Sequence, residues 1–254
     1  MKIERGQIIK ALDDGLKNNS SIFAFWLEGS DAIGTTDQYS DLDVWLDVED
    51  GREDETIGNV RSILSEIAPL DFEHEVNHPH PHIRQVFFHL SGTSEFLIID
   101  VCVQSNNRGA QLTTEHKDEV VKVLFDKKNV VQYSGLDQEK FRKSVQERVV
   151  ELKKTLLFFQ AWVKKGTERK NFLEALGYYH SFVLRPLVEI LRIKYEPTKR
   201  VFYLKHIKRD LPEEAILQLE DFYKVNSVEE ITKKTRRANV VFFDVIKDIE
   251  EKSL

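Results

Sequence analysis

One cysteine, one methionine and six prolines in 254 residues leave little room for several kinds of protein. A single thiol, Cys102, cannot close an internal disulfide, which excludes a cross-linked scaffold and agrees with a reducing compartment. Its place inside an apolar run reads as packing. No apolar stretch approaches the roughly 20 residues that a membrane-spanning helix needs. Repeats, low-complexity tracts and Gly/Ser-rich linkers are missing as well. The first residues, Met1-Lys2-Ile3-Glu4-Arg5, carry charge straight into a helical pattern without the apolar core of an export signal, so the expectation is a cytoplasmic protein. An excess of positive charge is also lacking. The formal net charge is −6, which argues against a nucleic-acid partner bound by a broad basic face.

What is present is an ordinary globular composition, 41% hydrophobic and 31% charged, long enough for one large domain or two modest ones. Charge is unevenly placed. Residues 1–130 hold 12 Lys and Arg against 24 Asp and Glu, whereas residues 131–254 hold 25 against 19. The halves therefore differ in sign, as two domains with different electrostatic roles would, although solvated helix faces alone produce the same asymmetry.

The hydrophobic period changes along the chain. Ile3, Ile8, Ile9, Leu12 and Leu16 predict a first amphipathic helix over 2–18. Ile22 to Leu27 is a short continuous apolar run of buried-strand type. From Asp41 to Val48 the residues alternate, with Leu42, Val44, Leu46 and Val48 on one face and Asp41, Asp43, Trp45 and Asp47 on the other. Helical spacing returns over 53–68 and stops at Pro69. Two strands, Ile83 to Leu90 and Glu95 to Gln104, flank Ser91-Gly92-Thr93-Ser94 as an antiparallel hairpin, and the sheet is expected to be mixed. Beyond about residue 135 helical patterns take over, at 137–165, 168–195, 212–224 and 227–251, with Pro186 interrupting the second and Asp210 capping the third. The fold class predicted is α+β: a mixed sheet flanked by helices in residues 1–134, then a helical bundle in residues 135–254.

Three features carry chemistry. Gly29-Ser30 ends a buried strand and opens a short helix, where backbone N–H groups, a close-approaching glycine and a hydroxyl suit a phosphate. On its own, Gly-Ser is equally a strand-ending turn with a serine cap. Asp41-Leu42-Asp43 follows, and strand periodicity places both carboxylates on one face, where they invite a hard divalent cation such as Mg²⁺ or Mn²⁺. Asp100 is the one charged residue in Phe96-Leu97-Ile98-Ile99-Asp100-Val101-Cys102-Val103. A carboxylate within a buried strand is costly unless paired or metal-bound, so a metal or a buried ion pair must account for it.

These residues resemble the nucleotidyltransferase superfamily related to DNA polymerase beta, whose pattern is Gly-Ser, a gap of about ten residues, Asp-x-Asp, and a later strand aspartate. Gly29-Ser30, Asp41-Leu42-Asp43 and Asp100 match it. The context Asp37-Gln38-Tyr39-Ser40-Asp41-Leu42-Asp43 is similar to the small bacterial enzymes that nucleotidylate aminoglycoside or lincosamide antibiotics. The resemblance covers residues 22–104, and the helical half agrees in size and character. It implies transfer of NMP, with AMP from ATP as the expected case, to a hydroxyl of a small molecule such as an antibiotic, with release of pyrophosphate. Asp41, Asp43 and Asp100 would be the catalytic and metal-binding residues, Mg²⁺ or Mn²⁺ the cofactor, and Gly29 and Ser30 the grip on the triphosphate. The alternatives are a catalytically reduced binding or regulatory module of the same fold, and a toxin-like enzyme acting on protein or tRNA. One position departs from the pattern: minimal members carry an arginine after Gly-Ser, and this chain has Asp31, an anion expected to weaken the hold on triphosphate. Compensating cations would come from Lys164, Lys165, Arg169, Lys170, Lys199, Arg200, Lys205, Lys208 and Arg209. The run His78-Pro79-His80-Pro81-His82 reads as an extended loop rather than a metal site. Trp26 and Trp162 read as core, and Trp45, on the Asp41/Asp43 face, is left open.

Overall fold

The computed structural model describes residues 3–108, 112–115 and 119–251. The chain divides into two compact units, Met1–Leu136 and Asp137–Leu254. The first contains, in order, helix α1 (Arg5–Leu16), strand β1 (Ile22–Leu27), the short helix α2 (Gly29–Ile33), β2 (Leu42–Val48), α3 (Glu53–Ile67), β3 (Leu70–Val76), β4 (Ile83–Leu90), β5 (Ile99–Ser105), β6 (Leu112–Thr113), β7 (Lys122–Asp126) and β8 (Tyr133–Ser134). Six strands form one sheet in the order β3-β4-β5-β2-β1-β7, while β6 and β8 pair by themselves. Within the six-stranded sheet β2 and β5 run parallel, and the other pairs are antiparallel. The sheet is mixed, as the sequence predicts.

Strand alternation divides the sheet chemically. Leu42, Val44, Leu46 and Val48 of β2, with Ile99, Val101 and Val103 of β5, are fully buried and join Ile8, Leu12 and Leu16 of α1 and Ile57, Val60 and Leu64 of α3 in one core. Each such side chain contributes roughly 1.5–3 kcal/mol by leaving water, and a one-residue slip would turn the whole set outward. Register is therefore strongly specified. The opposite face carries Asp43, Trp45 and Asp47 from β2, and Asp100, Cys102 and Gln104 from β5, paired across in that order.

Three details of the first unit differ from the sequence reading. Asp41 lies before β2 rather than in it and is exposed. The connection before β5 is longer than Ser91 to Ser94, because turn hydrogen bonds from Leu97 N–H to Ser94 and from Ile98 N–H to Phe96 delay the strand until Ile99. Strands β3 and β7 escape notice in the sequence. In β3 every side chain is exposed or half-exposed; Leu70, Phe72 and Val76 alternate with Asp71, Glu73 and Glu75, but the charges and His74 leave this edge strand little apolar content to mark it.

The second unit contains α4 (Gln138–Glu168), α5 (Phe172–Tyr179), α6 (Arg185–Tyr195), α7 (Ile207–Asp210), α8 (Glu213–Tyr223) and α9 (Val228–Glu251). Asp137 and Asn171 cap α4 and α5 through their side chains, and the apolar stripes of α4, α6, α8 and α9 meet in one core. The helix expected over 168–195 starts at Phe172 and runs to Tyr195 with helical backbone throughout, interrupted in its hydrogen bonding by a wide π-helical turn at His180–Leu184 just before Pro186. Pro186 sits just after that turn, where the widened hydrogen bonding accommodates a residue without an N–H. Asp210 does not cap α8, whose cap position is Pro212. Its carboxylate is instead buried, accepting from Arg192 at 2.8 Å and Lys199 at 2.7 Å. Arg192, fully buried, also donates to the carbonyls of Tyr203 and Lys205, tying the irregular 197–206 segment to α6. Lys199 is thus a structural cation rather than a phosphate partner. Trp162, read as core, is 38% exposed in a cluster with Phe159, Tyr178 and Phe182.

Candidate active site

The end of β1, the short helix α2 and the adjoining strands β2 and β5 bring Gly29, Ser30, Asp43 and Asp100 together. The Glu28 N–H donates to the Asp43 carbonyl at 3.1 Å, extending the β1–β2 ladder by one residue. Asp43 is in register with Asp100. Glu28, Asp43 and Asp100 therefore form a row of carboxylate residues across three neighbouring strand positions.

Gly29 has φ +59°, a left-handed conformation that L side chains adopt only at a cost. A second reason for glycine is spatial: a β-carbon here would lie 2.2 Å from Asp43 Oδ2. The Asp43 carboxylate thus rests against the bare backbone of the turn. The next residue, Ser30, has a buried hydroxyl with no hydrogen-bond partner. Leaving such a group unsatisfied costs about 1–3 kcal/mol, which makes Ser30 a ready donor to an incoming oxygen.

Asp100 is half-buried, and Gln85 Nε2 of β4 donates to both of its carboxylate oxygens, each at 2.9 Å. Gln85 is opposite Cys102 in the β4–β5 register, so nothing in the sequence marks it. It faces Asp100 only because of how two strands align. Cys102 is buried, and desolvation, reinforced by the Asp100 and Glu28 charges, pushes its thiol far above the usual range. It packs in the sheet and its Sγ donates weakly to Asp100 Oδ1 at 3.9 Å.

Asp31 does not point its charge into the turn unopposed. Arg5, from α1, pairs with the Asp31 carboxylate and donates to the carbonyls of Ser40 and Asp41, the latter at 2.8 Å. The sequence expectation of a repulsive anion is corrected by this partner, 26 residues away in the chain. Burial still raises the Asp31 carboxyl above its ordinary value, the opposing pull of Arg5 being the smaller effect.

Glu28, which the sequence motifs do not include, is a carboxylate at the exit of an all-apolar strand and carries the same signal as Asp100. Its Oε1 accepts from Trp26 Nε1 at 3.0 Å. Burial lifts its carboxyl, the Trp26 N–H works against that, and the charges of Glu119 and Asp100 add to the rise while Arg108 opposes it. Trp26 stacks on Trp45, centroids 5.9 Å apart and planes 10° from parallel. Arg108 lies over the other tryptophan of the pair, Trp45, at 5.9 Å, and donates to Gln104, whose amide in turn donates to the fully buried Asp47 at 2.7 Å. Trp45 therefore belongs to the site face.

Asp41 is the member that the structure does not gather in. It is exposed before β2, and among the described residues no three His, Cys, Asp or Glu side chains are arranged to hold a metal ion. The His78–His82 run is a loop in which His78 and His80 ring nitrogens accept from backbone N–H groups two residues on, at 3.0 and 3.2 Å.

A family model described as streptomycin adenylyltransferase matches residues 4–253. The chain belongs to the streptomycin adenylyltransferase family. It is accordingly a nucleotidyltransferase. Among solved structures it is similar to spectinomycin adenyltransferase AAD(9) from Enterococcus faecialis, determined with ATP and spectinomycin, at 11% identity over 94% of this chain and 99% of that one, TM-score 0.33. It is also similar to JHP933 from Helicobacter pylori, at 11% identity over 99% and 97% of the two chains, TM-score 0.28. No curated protein matches it. No helix among the described residues is long and apolar enough to cross a membrane.

Proposed function

We propose that this family member transfers the AMP moiety of ATP to a hydroxyl of a small antibiotic-like acceptor, releasing pyrophosphate. The observation that carries the reading is the Ser30 hydroxyl: buried, without a partner, and directly after a glycine whose α-carbon lies against Asp43. A phosphate oxygen is the acceptor this hydroxyl lacks, and the glycine leaves the backbone bare for close approach. Family membership supports ATP as the donor.

The donor set suits Mg²⁺ or Mn²⁺. Asp43 and Asp100 are hard carboxylate ligands in register on adjoining strands, and Asp41 precedes Asp43 by two residues. Magnesium commonly takes one or two protein carboxylates and fills its shell with water and substrate phosphates, so a closed three-carboxylate cage is not needed beforehand. A bound ion would supply neutralisation of the triphosphate and a lowered pKa for the acceptor hydroxyl. Ser30 donates to a phosphate oxygen. Gln85 orients Asp100 by holding both carboxylate oxygens, and Asp100 is the carboxylate that would take the acceptor's proton. Arg5 neutralises Asp31 beside the turn.

The test is pyrophosphate release with Mg²⁺ or Mn²⁺, scanning the four nucleoside triphosphates against aminoglycosides, lincosamides and other hydroxylated small molecules. Release that depends on both acceptor and metal, and is lost in a folded Asp43→Asn variant, supports the assignment. Full activity in that variant would refute it, as would the lack of metal-dependent nucleotide binding by the wild type.

A further inference from the structure

Between α4 and α9 of the second unit lies a groove of about 460 Å³. Leu157, Ala161 and Val163 of α4 give it apolar surface. From α9 it is lined by Thr235 and Asn239, one turn apart on the same face, and the buried Thr235 Oγ1 and Asn239 Oδ1 have no hydrogen-bond partner. The other threonines of the groove are satisfied: Thr232 Oγ1 donates to the Val228 carbonyl at 2.9 Å, and Thr167 Oγ1 to the Lys164 carbonyl at 3.0 Å. Asn239 is held in one orientation, because its Nδ2 donates to Gln160 Oε1 at 2.8 Å. Its carbonyl oxygen is thereby left as a bare acceptor. A buried polar atom in this state is costly, so a partner from outside the chain is expected. Charge is present as well. Lys164 and Arg236 are exposed, line the groove from the two helices, and have no ion-pair partner among the described residues. Glu168 lines it too, which leaves one net positive charge.

We propose that this groove is a binding site for a phosphate monoester of a small polyol, such as a sugar phosphate. Lys164 and Arg236 hold the phosphate through charge-assisted hydrogen bonds. Hydroxyls of the polyol donate to Asn239 Oδ1 and exchange a hydrogen bond with Thr235 Oγ1, while Leu157 and Ala161 lie against its C–H face. An anion without hydroxyls leaves both buried atoms unmet, and a neutral sugar forgoes both cations. Tight binding therefore needs both halves of the ligand. The groove lies wholly within the second unit, and the assignment does not depend on the nucleotidyltransferase reading of the first.

Calorimetric titration of the full chain with glucose 6-phosphate, glucose and inorganic phosphate tests this, each with and without Mg²⁺ and a non-hydrolysable ATP analogue. Wild type is expected to bind glucose 6-phosphate about tenfold or more tightly than either fragment, whether or not the analogue is present. Arg236→Gln should bring glucose 6-phosphate within about threefold of glucose. Thr235→Val should weaken glucose 6-phosphate about fivefold and leave inorganic phosphate unchanged, the size of one neutral hydrogen bond. Because this near-isosteric change removes an unmet hydroxyl, its urea midpoint should hold or rise, which also reports that the variant folds. A lowered midpoint with unchanged binding would show that the hydroxyl is bonded within the protein, and overturns the proposal. So does the lack of glucose 6-phosphate binding at millimolar concentration, equal affinity for all three probes, or unchanged affinity in both variants. Displacement of glucose 6-phosphate by the ATP analogue would put the sugar phosphate in the nucleotide site, and overturns it as well.

Discussion

Replacing Gly29 with alanine separates strain from chemistry. The left-handed backbone, φ +59°, costs an L residue roughly 1–2 kcal/mol. The new methyl would fall 2.2 Å from Asp43 Oδ2, so the carboxylate must retreat by about 1 Å to reach ordinary contact. Because the obstructed atom is the tip of a side chain, the backbone should survive and Asp43 should swing away. A 1 Å misplacement at a reacting centre can cost about 100-fold in rate, or about 2.7 kcal/mol. Gly34 provides the control: its φ is +72° and a β-carbon there meets nothing within 4 Å. Both Gly29→Ala and Gly34→Ala should therefore lose about 1–2 kcal/mol in urea unfolding. Pyrophosphate release should fall about 100-fold in Gly29→Ala only, and by less than about threefold in Gly34→Ala. Equal activities in the two variants would show that the contact between the turn and Asp43 has no part in the reaction.

Three further outcomes follow from the same contacts. Arg5→Ala strands the Asp31 carboxylate and frees the Ser40 and Asp41 carbonyls, and should cost about 3 kcal/mol in urea unfolding; an Arg5→Ala/Asp31→Ala double variant should recover part of this, and no recovery would mean that the pair is not coupled. Gln85→Ala leaves Asp100 without its two-oxygen hold. Its kcat should drop about tenfold with the KM for nucleotide little changed, whereas a selective rise in that KM would place Gln85 on the nucleotide. Burial alone would raise the Asp210 carboxyl, but hydrogen bonds from Lys199 and Arg192 outweigh it and hold the group below its ordinary value. A depressed carboxylate stabilises the fold above its unfolded pKa of about 3.9 and loses that contribution as pH falls through the lower folded value. Urea melts of wild type should thus weaken below about pH 4, and Asp210→Asn, less stable at neutral pH, should show a shallower acid loss; parallel curves would refute the pairing.

Much of this architecture was written locally. The alternation from Leu42 to Val48 and the burial of Leu97, Ile99, Val101 and Val103 around Asp100 follow from a period of two, and the same spacing put Asp43 and Asp100 on the site face before any pairing was known. Edge strand β3 is faint because its alternation of Leu70, Phe72 and Val76 with Asp71, Glu73 and Glu75 carries little apolar content and no deeply buried side. Trp162 was misread because an apolar stretch of helix does not say which of its faces meets the core.

The sequence by itself determined most of the helices, the central strands and the residue types able to meet a phosphate and a metal, since propensity and periodicity act over a few neighbouring positions. Only the tertiary structure decided which of those residues meet. Strand register set Gln85 against Asp100 and Glu28 beside Asp43, and the packing of α1 brought Arg5 to Asp31. These contacts depend on alignments between segments far apart in the chain, and a one-residue shift in any of them would erase the contact while leaving every local pattern nearly unchanged.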